Sequence, residues 1–177
     1  MDRAKSQRSH KLPQVYRNYI ALIIFGVAFG YVEAAVVYYL RDLLNFHAGY
    51  ALGSYHVLLN LGFITFVSPV HSLLLSSQIT SAELFREAST IIMLLAVSYV
   101  AGKNLRQRFG AFLIIFACWD ILYYVWLRVL DNWPSSLMTK DVYFLIPVTW
   151  IGPVITPIVI SGLMLLSGSF LYIKKFR

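Results

Sequence analysis

The chain has 177 residues, of which 59% are hydrophobic and 13% charged, and its formal net charge is +7. A water-soluble domain carries nearer ~25% charged residues, so the composition excludes an ordinary soluble globule and points to lipid as the solvent. A single cysteine, Cys118, excludes an internal disulfide and a cysteine-built metal cage.

Residues 1–18 are basic and polar and predict a cytoplasmic tail. The apolar run over 19–40 is longer than a signal-peptide core of roughly 7–15 residues, and it predicts a retained first membrane helix. That run carries Gly26-x-x-x-Gly30 with Ala34 one turn beyond, a small-residue face suited to close helix contact. Residues 48–82 hold no Asp, Glu, Lys or Arg, yet include His56, Asn60, Pro69 and His71. A second helix is expected over 81–101. It opens on Thr80-Ser81-Ala82-Glu83, a capping-box pattern, with Glu83 and Glu87 near the positive end of the helix dipole. A third helix is expected over 110–130 and a fourth over 151–173. Pro147, Pro153 and Pro157 predict a bent or broken entry to the last one.

Charge distribution sets the number of crossings. Basic residues concentrate at Arg3, Lys5, Arg8, Lys11 and Arg17, at Lys103, Arg106 and Arg108, and at Lys174, Lys175 and Arg177. The positive-inside rule puts all three segments in the cytoplasm, where anionic lipid headgroups are the natural partner. With no soluble surface to form a groove, nucleic acid is not expected as a partner. Segments 1–18 and 103–108 share a side only when an even number of crossings separates them. The expected fold is therefore an all-α, polytopic transmembrane bundle forming one domain, with four crossings, or five if residues 48–80 also cross. On the four-crossing reading, 46–80 form an outer-face layer or a re-entrant segment. Any irregular backbone at membrane depth, including 142–150, must then be covered by protein.

At 1.5 Å of rise per residue, this topology brings acids to one depth. Glu33, Glu87 and Asp120 fall between the midplane and the outer surface, with Arg41, Arg86, Arg128 and Asp141 nearby. Charges there cost at least ~2.5–3.5 kcal/mol each on insertion scales and need partners or a wet cavity. Glu33, Glu87 and Asp120 are the candidate catalytic groups. Arg41, Arg86, Arg128, Tyr123, Tyr124 and Asp141 are the candidate substrate-binding groups, with Tyr123 and Tyr124 one turn beyond Asp120 and placed to bond it. Structural alternatives stand beside these. Glu33 can serve as an ion-pair partner for Arg86 or Arg128, and Glu83, Arg86 and Glu87 can cap and bond along their own helix. The tryptophans read as interfacial belt or core residues. His47, His56 and His71 match no helical ligand spacing, so no metal site is assigned and the cofactor question stays open.

The segments YVEAAVVYYLR (31–41), LFREASTIIML (84–94), RFGAFLIIFACWDILYYVWLRVL (108–130), WPSSL (133–137) and DVYFLIPVTWIGPV (141–154) resemble an uncharacterised family of small bacterial polytopic inner-membrane proteins. The resemblance implies a bacterial plasma membrane and carries no activity. Three functions stay open from the residues. One is a non-catalytic subunit or assembly factor of a membrane complex. Another is a membrane-embedded enzyme or lipid- and anion-binding protein with its site toward the outer leaflet. The third is a small proton-coupled transporter working as a homo-dimer, with Glu33 as proton carrier.

Overall fold

The computed structural model describes residues 13–43, 56–68 and 77–174. Four helices dominate it: α1 (Gln14–Leu43), α2 (Ser77–Ala101), α3 (Leu105–Asp131) and α4 (Ile155–Ile173). Each is long and apolar enough to cross a bilayer, and together they form a polytopic helical bundle of four crossings. His47, His71 and the basic residues at 3, 5, 8, 11, 175 and 177 lie outside the described residues. So does most of the 46–80 segment.

The central helix is α3, with α1 and α4 packed closely along it. Its start is fixed by Asn104, whose side chain accepts from the Gln107 amide at 2.9 Å, while Gln107 Oε1 accepts from the Lys103 amide at 3.1 Å. The reciprocal bonds satisfy two donors at the helix start. At the other end Asn132 takes the left-handed conformation, φ 53. Close approach of α1 depends on the expected small-residue face. A Cβ at Gly26 would lie 2.5 Å from the Cys118 Cβ, and one at Gly30 would lie 2.9 Å from the Trp119 carbonyl oxygen. On the opposite side, Gly110 of α3 and Gly168 of α4 face each other in the same way.

Two features depart from the sequence expectation. The capping-box pattern does not start α2: the helix begins at Ser77, so Thr80 lies within it, while Glu83 bonds Arg86 along the helix as the alternative reading expected. More consequentially, four short strands form an antiparallel sheet in the order β1-β2-β4-β3. They are β1 (Val57–Asn60), β2 (Thr65–Val67), β3 (Lys140–Phe144) and β4 (Thr149–Pro153). Because β4 runs to Pro153, α4 starts at Ile155 rather than at 151. Its early Pro157 falls in the first turn, where an amide would have no intrahelical acceptor.

The sheet does not merely lie over the bundle. The β3–β4 turn enters it, with Phe144 stacked near Phe116 and Trp119 of α3 at centroid distances of 6.2 and 6.4 Å. β2 is joined to β4 in register, Thr65 opposite Ile151 and Val67 opposite Thr149. The first hairpin is tied to α4 by Thr156, whose hydroxyl donates to the Phe63 carbonyl at 3.1 Å. One end of the bundle thus carries the sheet. The opposite end carries Arg17, Lys103, Arg106, Arg108 and Lys174.

Candidate functional site

Counted from the sheet end of their helices, Glu33, Glu87 and Asp120 each lie about 15 Å down, at 1.5 Å of rise per residue. They meet in a single cavity of about 160 Å³ bounded by α1, α2, α3 and β3. Its wall also includes Arg41, Glu83, Arg86, Tyr123, Tyr124, Asp141 and Tyr143, with Trp119 and Phe144. Eight of the nine candidate residues therefore line one space. The exception is Arg128, whose guanidinium bonds the carbonyls of Asn132 and, at 3.1 Å, Pro134. It holds the C-terminal turn of α3, as basic side chains do at helix ends.

Each charge in the wall has a definite environment. Arg86 links two helices: its Nη1 lies 2.5 and 2.6 Å from the Glu33 carboxylate oxygens, and its Nε donates to Glu83 at 2.8 Å. One guanidinium thus serves two carboxylates, and Glu33 pairs with Arg86 rather than Arg128. Arg41 reaches Asp131 at 3.1 Å and lies 4.1 Å over the Trp133 ring. Glu87 accepts from the backbone amides of Leu145, at 2.9 Å, and Ile146, at 3.2 Å. These are the amides of the β3–β4 turn. A buried amide left unpaired costs about 1–3 kcal/mol.

Asp120 stands apart. It accepts from the Ser161 hydroxyl of α4 at 2.7 Å and has no cation within ion-pair distance among the described residues. Of the neighbouring tyrosines expected to bond it, Tyr124 donates instead to Asp141, at 3.0 Å. Asp141 is fully buried, and burial pushes its carboxyl up to about 6. The nearby Arg41, the Tyr124 hydroxyl and the Val142 amide oppose that shift, and the charge of Asp120 adds to it.

No known protein family, curated protein or solved structure matches the chain. Among the described residues, no group of three or more His, Cys, Asp or Glu side chains is placed to hold a metal ion.

Among the contributors outside the candidate set, Glu83 read as a cap or as bonded along its own helix and Trp119 as belt or core, while Tyr143, Phe144 and Ser161 went unremarked. A hydroxyl in an apolar helix signalled Ser161. Nothing local signals Phe144, which joins the site through the sheet.

Proposed function

We propose that the protein is a small membrane carrier whose cavity binds a positively charged ligand, with Asp120 as the counter-ion. The observation that carries this reading is the balance of charge. Five carboxylates line the cavity against two guanidiniums, and both guanidiniums are already engaged by carboxylates. An entering anion would meet a net negative wall, whereas a cation meets in Asp120 a carboxylate with no ion partner among the described residues, where low dielectric strengthens the attraction. The anion-binding reading of Arg86 and Arg41 loses its donors for the same reason. Glu33, bonded to Arg86, gives up the carrier role to Asp120.

Helix packing supports a carrier. α2 packs on α3 and is tied to the β3–β4 turn by Glu87, while its ion-pair link to α1 is Arg86 with Glu33, a contact that can exchange. The basic end of the bundle supports cytoplasmic termini in a bacterial plasma membrane, against anionic headgroups. The cavity then opens toward the outer leaflet.

Calorimetric titration of the protein in nanodiscs tests the reading. Tetramethylammonium should bind saturably, Asp120→Asn should abolish that binding, and inorganic phosphate should give no signal. Binding of phosphate without binding of the cation would refute it.

One observation favours a second reading, a subunit of a larger membrane complex or homo-dimer. Among the described residues, strand β1 is the edge of the sheet and leaves Val57, Leu58 and Leu59 exposed, and an open apolar edge seeks a protein partner. A disulfide cross-link through Leu58→Cys in a Cys118→Ser background would support it, and a monomer under all oxidising conditions would count against it.

A further inference from the structure

The five carboxylates of the cavity wall differ oxygen by oxygen. Both Glu33 oxygens are held by Arg86 Nη1, and both Glu87 oxygens by the amides of the β3–β4 turn. Asp141 is buried and accepts from Tyr124. Two oxygens remain open. Asp120 accepts from Ser161 through Oδ2, and Glu83 takes Arg86 Nε and Nη2 through Oε2. Among the described residues, Asp120 Oδ1 and Glu83 Oε1 have no partner, and neither is sealed off from the accessible surface.

Charge follows the same division. Arg86 neutralises only one of its two carboxylates, so the Glu33–Arg86–Glu83 group keeps one negative charge and Asp120 holds another. Those two charges stand on different helices and at different heights. Glu83 is four residues nearer the sheet end of α2 than Glu87, about 6 Å above the level that Glu87 shares with Asp120.

We infer that the ligand is a small organic dication, a short diamine, with one ammonium on Asp120 and the other on Glu83. This rests on the cation-binding reading above and names its ligand class. The rest of the wall suits the chain between two ammonium groups, because Val37, Leu40, Phe144 and Leu145 offer apolar surface to its methylenes. Two open oxygens on separate helices are too few to replace the hydration shell of a divalent metal ion. Size agrees as well. The cavity holds about 160 Å³. One of about 150 Å³ accepts benzene, and a four-carbon diamine has as many heavy atoms.

The test compares putrescine with pentylamine, in which a methyl group replaces one ammonium, by calorimetric titration in nanodiscs of zwitterionic lipid. Two equivalent ends alone favour putrescine roughly twofold, and a hydrogen bond between charged groups should raise that to about tenfold or more. Glu83→Gln can keep the Arg86–Glu33 pair but removes the surplus charge. The advantage should then fall to the factor of the two ends, while pentylamine still binds. A wild-type advantage no larger than that factor, or an unchanged advantage in Glu83→Gln, would overturn the inference. If the variant does not fold, the wild-type comparison decides alone. Tetramethylammonium, titrated in parallel, separates this proposal from the reading beneath it. Its binding without a putrescine advantage leaves the cation site standing and removes the dication, whereas silence from all three compounds removes both.

Discussion

A carboxylate at membrane depth needs donors, and Glu87 finds them in the two amides of the turn that enters the bundle. Its role there is to hold the β3–β4 turn against α2. In Glu87→Met the side chain keeps its length but offers neither backbone amide a carboxylate oxygen, so both are left unpaired. The variant should lose about 1–3 kcal/mol of stability, and hydrogen exchange at Leu145 and Ile146 should speed up ahead of the rest of the sheet. Unchanged exchange at both amides would remove this role.

Asp141 gives a second prediction at this scale. Its carboxyl titrates near 6 in the fold against 3.8 unfolded, so the folded state favours the protonated form. Relative to the unfolded chain, the site is then most stable below 3.8 and loses stability as pH rises through about 6. The shift of roughly two units corresponds to about 3 kcal/mol. Melting temperatures of the wild type and Asp141→Asn should therefore diverge in the variant's favour between pH 4 and 7, and parallel curves would contradict the assignment. Residue-level chemistry was partly legible in the sequence. Arg86 was one of two ion-pair partners expected for Glu33, with Arg128, because residue counting gives height on a helix, whereas Glu87's acceptance from residues 58 and 59 positions away was not foreseen.

Helix contacts were the most legible elements, since Gly26, Gly30 and Ala34 recur at one helical spacing and do face α3. Their tightness can be tested against a glycine that has room. Gly26→Leu would drive a side chain into Cys118 and the Ile115 carbonyl, with overpacking expected to cost about 1–3 kcal/mol or more. Gly162 of α4 has nothing within 4 Å of a built Cβ. Gly162→Ala should therefore be neutral or stabilise by up to about 1 kcal/mol through helix propensity. Thermal unfolding in detergent reads both, and similar losses in the two variants would deny a close α1–α3 contact. The sheet was illegible for a physical reason. Its strands are three to five residues long, shorter than any hydropathy window resolves. The pairing of Thr65 with Ile151 joins segments that share no local pattern. Only the proline run before α4 hinted that 142–150 was not helix.

At the scale of the molecule, lipid tolerates few charges, so those that remain are gathered where they satisfy one another, and the surplus sign names the ligand. That surplus was not visible in the sequence. Basic residues outnumber acids there by 15 to 8, and although residue counting separates a basic end from acids at one depth, only the fold shows that the guanidiniums among those acids are already engaged. Reaction rates at a cysteine placed in the cavity wall measure the sign directly. Tyr123→Cys in a Cys118→Ser background leaves all five carboxylates in place. It is treated from the sheet side with a trimethylammonium-bearing or a sulfonate-bearing thiosulfonate of similar size. The cationic reagent should react faster by about tenfold or more, as a focused negative field requires, and the difference should shrink in Asp120→Asn. Equal rates for the two reagents, or a faster anionic one, would contradict a cation-binding cavity.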